Sequence, residues 1–128
     1  MSKKDNAHKD NIVGLLGKGT DFDGKLVFQG TLRIDGKFKG EIITKGVLVV
    51  GEGSLVHAEV NAETIVVHGE IHGNLCATKK IEIRGKGKVF GNIKTVGLIV
   101  EEGVTFEGSC QMKDSVNSEV VSLEERKK

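Results

Sequence analysis

The sequence predicts an all-β chain wound as a three-sided β-solenoid with about six turns of 16–18 residues. Three observations carry that prediction. The first is a repeat: Ile34, Val50, Val67, Ile83 and Val100 each close an apolar i, i+2 pair, and they follow one another at intervals of 16, 17, 16 and 17 residues. The second is a column of small residues, Gly24, Gly40, Ala58, Gly73, Gly91 and Gly108, each two residues after one apolar position and two before another. The third is strict alternation over three to five residues in every copy, which is the period of a strand and not of a helix. A period near seventeen is too short for helical repeats of about 33 residues or leucine-rich repeats of about 20 to 29. It suits a turn of three short strands, each pairing in parallel with its copy about 4.8 Å along the axis.

Taken in order, residues 1–14 read as a disordered tail, polar and charged as far as Asn11 with Lys3, Lys4, His8 and Lys9 and no periodicity. Ile12-Val-Gly-Leu-Leu16 is apolar but too short to cross a bilayer. It reads either as the first strand capping the solenoid or as a contact with an anionic membrane surface, helped by the preceding lysines. Leu16, Phe22 and Leu26 continue the column spacing, which favours the strand.

The solenoid is expected over residues 15–112. Its inward columns are Leu32, Leu48, Ile65, Ile81, Leu98; Ile34, Val50, Val67, Ile83, Val100; Phe38, Val56, Ile71, Val89, Phe106; and Ile42, Val60, Leu75, Ile93, Cys110. A smaller fifth column holds Phe28, Thr44, Ala62, Ala77, Thr95 and Met112. Burial of each large apolar side chain contributes roughly 1.5–3 kcal/mol, enough in sum for a fold with few aromatics.

Two outward columns are candidates for contact. One is Lys39, His57, His72, Phe90 and Glu107, which stacks the two histidines and leaves Phe90 an exposed ring. The other is Arg33, Val49, Val66, Glu82 and Ile99, with three β-branched residues on an outer face. Val49, Val66, Phe90 and Ile99 are therefore candidate lateral contacts, although strand propensity alone also selects valine and isoleucine there. Two imidazoles without a third ligand make a poor metal site. Asp21, Asp23 and Asp35 lack the bidentate glutamate and ligand loop of a calcium site. After Met112 the pattern stops, and residues 113–128 read as a charged tail.

These features bound the function. A formal net charge of +1 gives no concentrated basic face for nucleic acid. Two cysteines are not a disulfide framework; Cys76 faces outward and Cys110 inward two turns away, which predicts reduced thiols and a cytoplasmic location. No nucleophile elbow, phosphate loop or metal-spaced cluster is present, and no long insertion walls a pocket, so neither catalysis nor a cofactor is expected. What the pattern builds is a rod with two open ends. The terminal rungs are as apolar as the middle ones, and nothing at Phe106, Cys110 or Met112 resembles a cap. Matching uncapped ends stack, so the sequence predicts end-to-end self-assembly. The residues placed at those ends are Phe22 and Leu26 at one and Phe106, Cys110 and Met112 at the other.

Four phrases make a resemblance specific: Leu15-Leu-Gly-Lys-Gly-Thr-Asp-Phe-Asp-Gly-Lys-Leu26, Arg33-Ile-Asp-Gly36, Gly69-Glu-Ile-His-Gly73-Asn74, and Glu102-Gly-Val-Thr-Phe-Glu-Gly-Ser-Cys-Gln-Met112. Over Leu15 to Met112 the chain resembles the bactofilin family. That resemblance implies a right-handed parallel β-helix in a bacterial cytoskeletal protein that polymerises without nucleotide, its ends joining like to like. It also implies a scaffold for cell shape or for localising cell-wall enzymes, and contact with the inner face of the cytoplasmic membrane. For this last role the candidates here are Ile12, Val13, Leu15 and Leu16. Two other β-helical classes fit less well. A hexapeptide acyltransferase keeps a six-residue rhythm that these spacings break, and polysaccharide-active β-helices are longer, secreted chains.

Overall fold

The computed structural model describes residues 12–112; of the tails expected over 1–14 and 113–128, residues 1–11 and 113–128 lie outside the described residues. Nine strands follow in order: β1 (Ile12–Leu16), β2 (Asp21–Phe28), β3 (Thr31–Ile34), β4 (Lys37–Thr44), β5 (Val47–Val50), β6 (Leu55–Val67), β7 (Glu70–Ile83), β8 (Lys88–Val100) and β9 (Thr105–Met112). Every pairing is parallel and joins a strand to the one a turn away, so the chain coils as a solenoid. One ladder runs β1–β3–β5 and continues through the second halves of β6, β7 and β8. The other runs β2–β4, through the first halves of those three strands, and ends in β9.

The strand columns expected from alternation stand in register. Leu32 pairs with Leu48, Leu48 with Ile65, Ile65 with Ile81 and Ile81 with Leu98. Phe22, Phe38, Val56, Ile71, Val89 and Phe106 form one unbroken column, and Leu26 to Cys110 another. Between these ends the inward side chains are almost wholly buried, from Leu32 to Ile93. The first strand starts at Ile12, three residues before the expected Leu15, and pairs with β3 through Ile12 and Gly14 to Leu16, with a shift of register between Ile12 and Gly14.

Three kinds of corner separate the sides. At the glycine column, Gly24, Gly40, Gly73, Gly91 and Gly108 hold φ between 134° and 152°, a conformation that L side chains rarely adopt. A Cβ on Gly91 would run into the carbonyl of Gly73 one rung away. A second corner comes in two lengths and, together with a third that crosses six positions from Ile42 to Leu48 but five from Val60 to Ile65, sets the uneven spacing of the repeat. Long corners cross six positions, as from Val50 to Val56, and short ones cross four, as from Val67 to Ile71. In the long corner Ser54 donates from its amide to the carbonyl of Gly51 at 3.1 Å and from its hydroxyl to the same carbonyl at 2.5 Å. Thr20 repeats the arrangement on Gly17 at 3.1 and 2.6 Å. The short corners nest against these loops: Lys37 donates to the Thr20 carbonyl at 2.9 Å and Glu70 to the Ser54 carbonyl at 3.1 Å. The third corner is so slight in β6 and β7 that each strand runs through it, marked only by a shift of register after Ala62 and after Ala77.

Candidate assembly surfaces

A parallel solenoid leaves one rung at each end with a strand edge facing outward, so the candidate sites are its two ends and its flat sides. At the first end, among the described residues, β1 pairs only with β3 and β2 only with β4. Leu16, Phe22, Leu26 and Phe28 pack on the core from one side only and stay partly exposed. Phe22 lies flat on Phe38, ring centroids 5.1 Å apart and planes 7° from parallel. At the last end, among the described residues, β9 pairs only with β8, and Leu98, Val104, Phe106 and Cys110 pack on the core while staying partly exposed. Cys110 Sγ lies 3.9 Å from Met112 Sδ, and no disulfide joins Cys76 and Cys110. The five expected end residues are thus placed two on one terminal rung and three on the other, each half-buried. Val100, inward by register, is 37% exposed, since it lies on the last rung among the described residues.

The expected side columns form, but they do not make one surface. Val49, Val66 and Ile99 share a column with Arg33 and Glu82, and Leu15 heads it. Phe90 stands on the other ladder, next to His72. Its ring is only half-exposed, less than the register alone implied: one face stacks on His72 at 4.7 Å, and His72 stacks on His57 at 4.5 Å. His72 Nε2 also lies 2.6 Å from Glu70 Oε2, and this hydrogen bond holds the Glu70 carboxyl below the usual carboxylate range. Among the described residues no group of three or more His, Cys, Asp or Glu is placed to hold a metal ion.

The N-terminal candidates also separate. Leu15 is 60% exposed, whereas its neighbour Leu16 turns onto the core, as alternation in a paired strand requires. Ile12 and Val13 lie in β1 through their backbone. Among the described residues no helix is long and apolar enough to cross a membrane.

Several surface features were not anticipated. Val27, between inward-facing Leu26 and Phe28, is 65% exposed; three successive apolar residues in an alternating strand are the signal that the middle one points out. A polar ladder climbs one outer column: Asn74 donates to Glu59 at 3.1 Å, Asn92 to Asn74 at 3.0 Å, and Ser109 to Asn92 at 2.6 Å. Glu82 is only 9% exposed because its strand neighbours Lys80 and Arg84 fold over it, at 2.9 and 2.6 Å. Hydrogen bonds from Lys80 first and Arg84 second lower its pKa. Arg84 reaches on to Glu101 at 2.6 Å, and hydrogen bonds to Glu82 and Glu101 raise its own pKa. Glu101 in turn accepts from the Gly85 amide at 2.9 Å, the largest cause of its lowered pKa.

The comparisons with known proteins agree with one another. A family model described as "Bactofilin: Polymer-forming cytoskeletal" matches residues 14–111. The chain is 29% identical over 98 residues to bactofilin BacO of Myxococcus xanthus (strain DK1622), covering 77% of this chain and 78% of that protein. It is 35% identical over 100 residues to BacN of the same organism, covering 78% and 88%. With BacP it shares 30% identity over 105 residues, 82% of this chain but 43% of the relative. Among solved structures it is similar to the Thermus thermophilus bactofilin in a cryo-EM reconstruction of double helical filaments, with TM-score 0.69 and 30% identity over 77% of this chain and 99% of that one.

Proposed function

We propose, for a chain that belongs to the bactofilin family of polymer-forming cytoskeletal proteins, how its surfaces carry out the assembly. The protein is a cytoskeletal filament scaffold. Its filaments grow end to end without nucleotide, each terminal rung supplying the next strand of its neighbour's ladder. One observation carries this reading: both terminal rungs of the described solenoid present half-buried apolar side chains at its ends, Phe22 and Leu26 at one end and Phe106, Cys110 and Met112 at the other. Contact between such rungs removes apolar surface from water and pairs backbone groups in the same step.

Sedimentation and negative-stain microscopy of purified protein, with no nucleotide or metal added, test it. Wild type should pellet as filaments. Phe106→Arg should stay soluble and folded, because a charge left unpaired in the interface is strongly disfavoured. Wild type that remains a monomer or closed trimer at high concentration would sink the reading.

The chain is read as structural and not catalytic, a reading supported by a family of cytoskeletal proteins. Side-to-side contact is a further part of the proposal. The double helical filaments named for the Thermus thermophilus structure support it, with Val49, Val66 and Ile99 as one lateral column; Phe90 stands apart on the other ladder, one ring face against His72. Support for peripheral contact with the inner face of the cytoplasmic membrane is narrower, since Leu15 is the described side chain of that set that points outward. Flotation with anionic vesicles that is lost in Leu15→Glu would support it, and flotation that is absent or unchanged would remove it. Support for cell shape and for recruited cell-wall enzymes comes from family membership.

A further inference from the structure

The outward column that begins at Val27 changes character along the rod. Val27, Ile43, Asn61, Cys76, Lys94 and Gln111 stack in register from the first rung to the last. Val27 is exposed and Ile43 half-buried, an apolar pair on the surface, and the column below them is small or polar. Along that lower part the surface sinks into two adjoining hollows of about 280 and 550 Å³, both of which reach Asn61 and Cys76. Together they form one groove of the size that holds a ligand or a short segment of chain. The ladder of Asn74, Asn92 and Ser109 flanks it on one side, and Lys45 and Glu63 on the other. Each asparagine amide gives the ladder one N–H and one lone pair, so each keeps a second N–H for a backbone lying in the groove.

We infer that the chain's own C-terminal segment, residues 113–128, lies back along this groove and seats Val121 and Leu123 on Ile43 and Val27. The segment leaves the rod at Met112, beside Gln111 at the foot of the column. Val27 stands five rung spacings from Gln111, about 24 Å at about 4.8 Å each. A reversal of direction uses about four residues, and about seven more in extended form cover that distance, which brings Val121 and Leu123 to the apolar end. The order of residues agrees along the way. Lys113 to Glu119 is polar apart from Val116 and crosses the polar floor. Val120, Val121 and Leu123 fall where the floor turns apolar, and Glu124 and Glu125 arrive between Lys25 and Lys45. Those two exposed lysines have no ion-pair partner among the described residues. Tethering raises the segment's effective concentration at the groove, so a contact this small suffices. The inference concerns a single rod and does not depend on assembly.

Cys76, half-buried on the groove floor, reports the occupant. The full chain is pulsed with N-ethylmaleimide, and labelling of Cys76 is read by peptide mass spectrometry in wild type, in Val121→Ser/Leu123→Ser and in Val27→Thr/Ile43→Thr. The first variant leaves the rod unchanged, and the second keeps β-branched residues in their strands, so both fold. Wild type should label at a rate independent of protein concentration, and both variants at least roughly fivefold faster. Equal rates in all three would mean an open groove and overturn the inference. Protection that fades on dilution would give the groove to a second copy and overturn it as well. Faster labelling in the tail variant alone would overturn the seat on Ile43 and Val27.

Discussion

Ala58 is the one member of the corner column with a Cβ, and it shows what the glycines are for. The five glycines have positive φ between 134° and 152°, whereas no residue other than glycine has positive φ among the described residues, so Ala58 turns the corner differently. The cost is local. His57 still pairs with His72 and Val60 with Leu75, but Ala58 and Glu59 drop out of the ladder between them. Asn74 donating to Glu59 at 3.1 Å spans that gap from outside. Gly91→Ala should destabilise by about 1–3 kcal/mol or more, since it forces an L side chain into this conformation and its Cβ into the Gly73 carbonyl. Ala58→Gly should change stability by less than about 1 kcal/mol. Urea unfolding of the two variants separates them. Charge at this scale has a direction too. Folding lowers the pKa of Glu70, Glu82 and Glu101 from a reference of 4.5, so their native contacts stabilise the ionised forms. That contribution is complete above the reference value and is lost as pH falls through the lower folded values. A melting midpoint that is level near neutrality should therefore drop below about pH 4.5, and less steeply in Glu82→Gln. A midpoint as flat in wild type down to about pH 3 would contradict this.

At the scale of the element, the long and short corners form one device. A long loop closed by Thr20 or Ser54 provides the carbonyl to which the next turn's short corner bonds, and glycine is what fits beneath it. A Cβ on Gly36 would lie 2.5 Å from Thr20 Oγ1 and 2.6 Å from the Gly17 carbonyl. Ser54 is 3% exposed, so Ser54→Ala removes a buried hydrogen bond and should cost roughly 1 kcal/mol. Ser54→Thr, which keeps the hydroxyl, should recover part of it, and thermal melts decide the comparison. The Thr and Ser positions were open to reading from the sequence, in Gly17-Lys-Gly-Thr20 and Gly51-Glu-Gly-Ser54, yet their purpose was not. It depends on a neighbour one turn away.

At the scale of the molecule, each turn contacts only the turns beside it, so stability grows with the number of covered rungs. Ile71, wholly buried in the middle, should cost about 2–5 kcal/mol when cut to alanine. Val100, exposed on the last rung, should cost distinctly less in the dispersed protein, and the difference should shrink once filaments cover that end. Assembly is binding to the native state, so the melting temperature should rise with protein concentration in wild type and stay level in Phe106→Arg. A scanning calorimetry series over concentration makes that comparison.

The sequence by itself determined the number of turns, the parallel register and which side chains face in. A strand has a period of two, and stacked copies of one pattern can bury their apolar columns in only one register. That much also placed Phe22, Leu26, Phe106, Cys110 and Met112 on terminal rungs. Only the tertiary structure decided what covers an outward residue. Phe90 lies against His72, Glu82 lies under Lys80 and Arg84, and Leu15 tops the column of Arg33 and Val49. The stacking neighbour of an outward side chain is a full turn away in sequence, and the corners change that distance from 15 residues between His57 and His72 to 18 between His72 and Phe90. Alternation fixes the side to which a residue points; the coil brings it its neighbours.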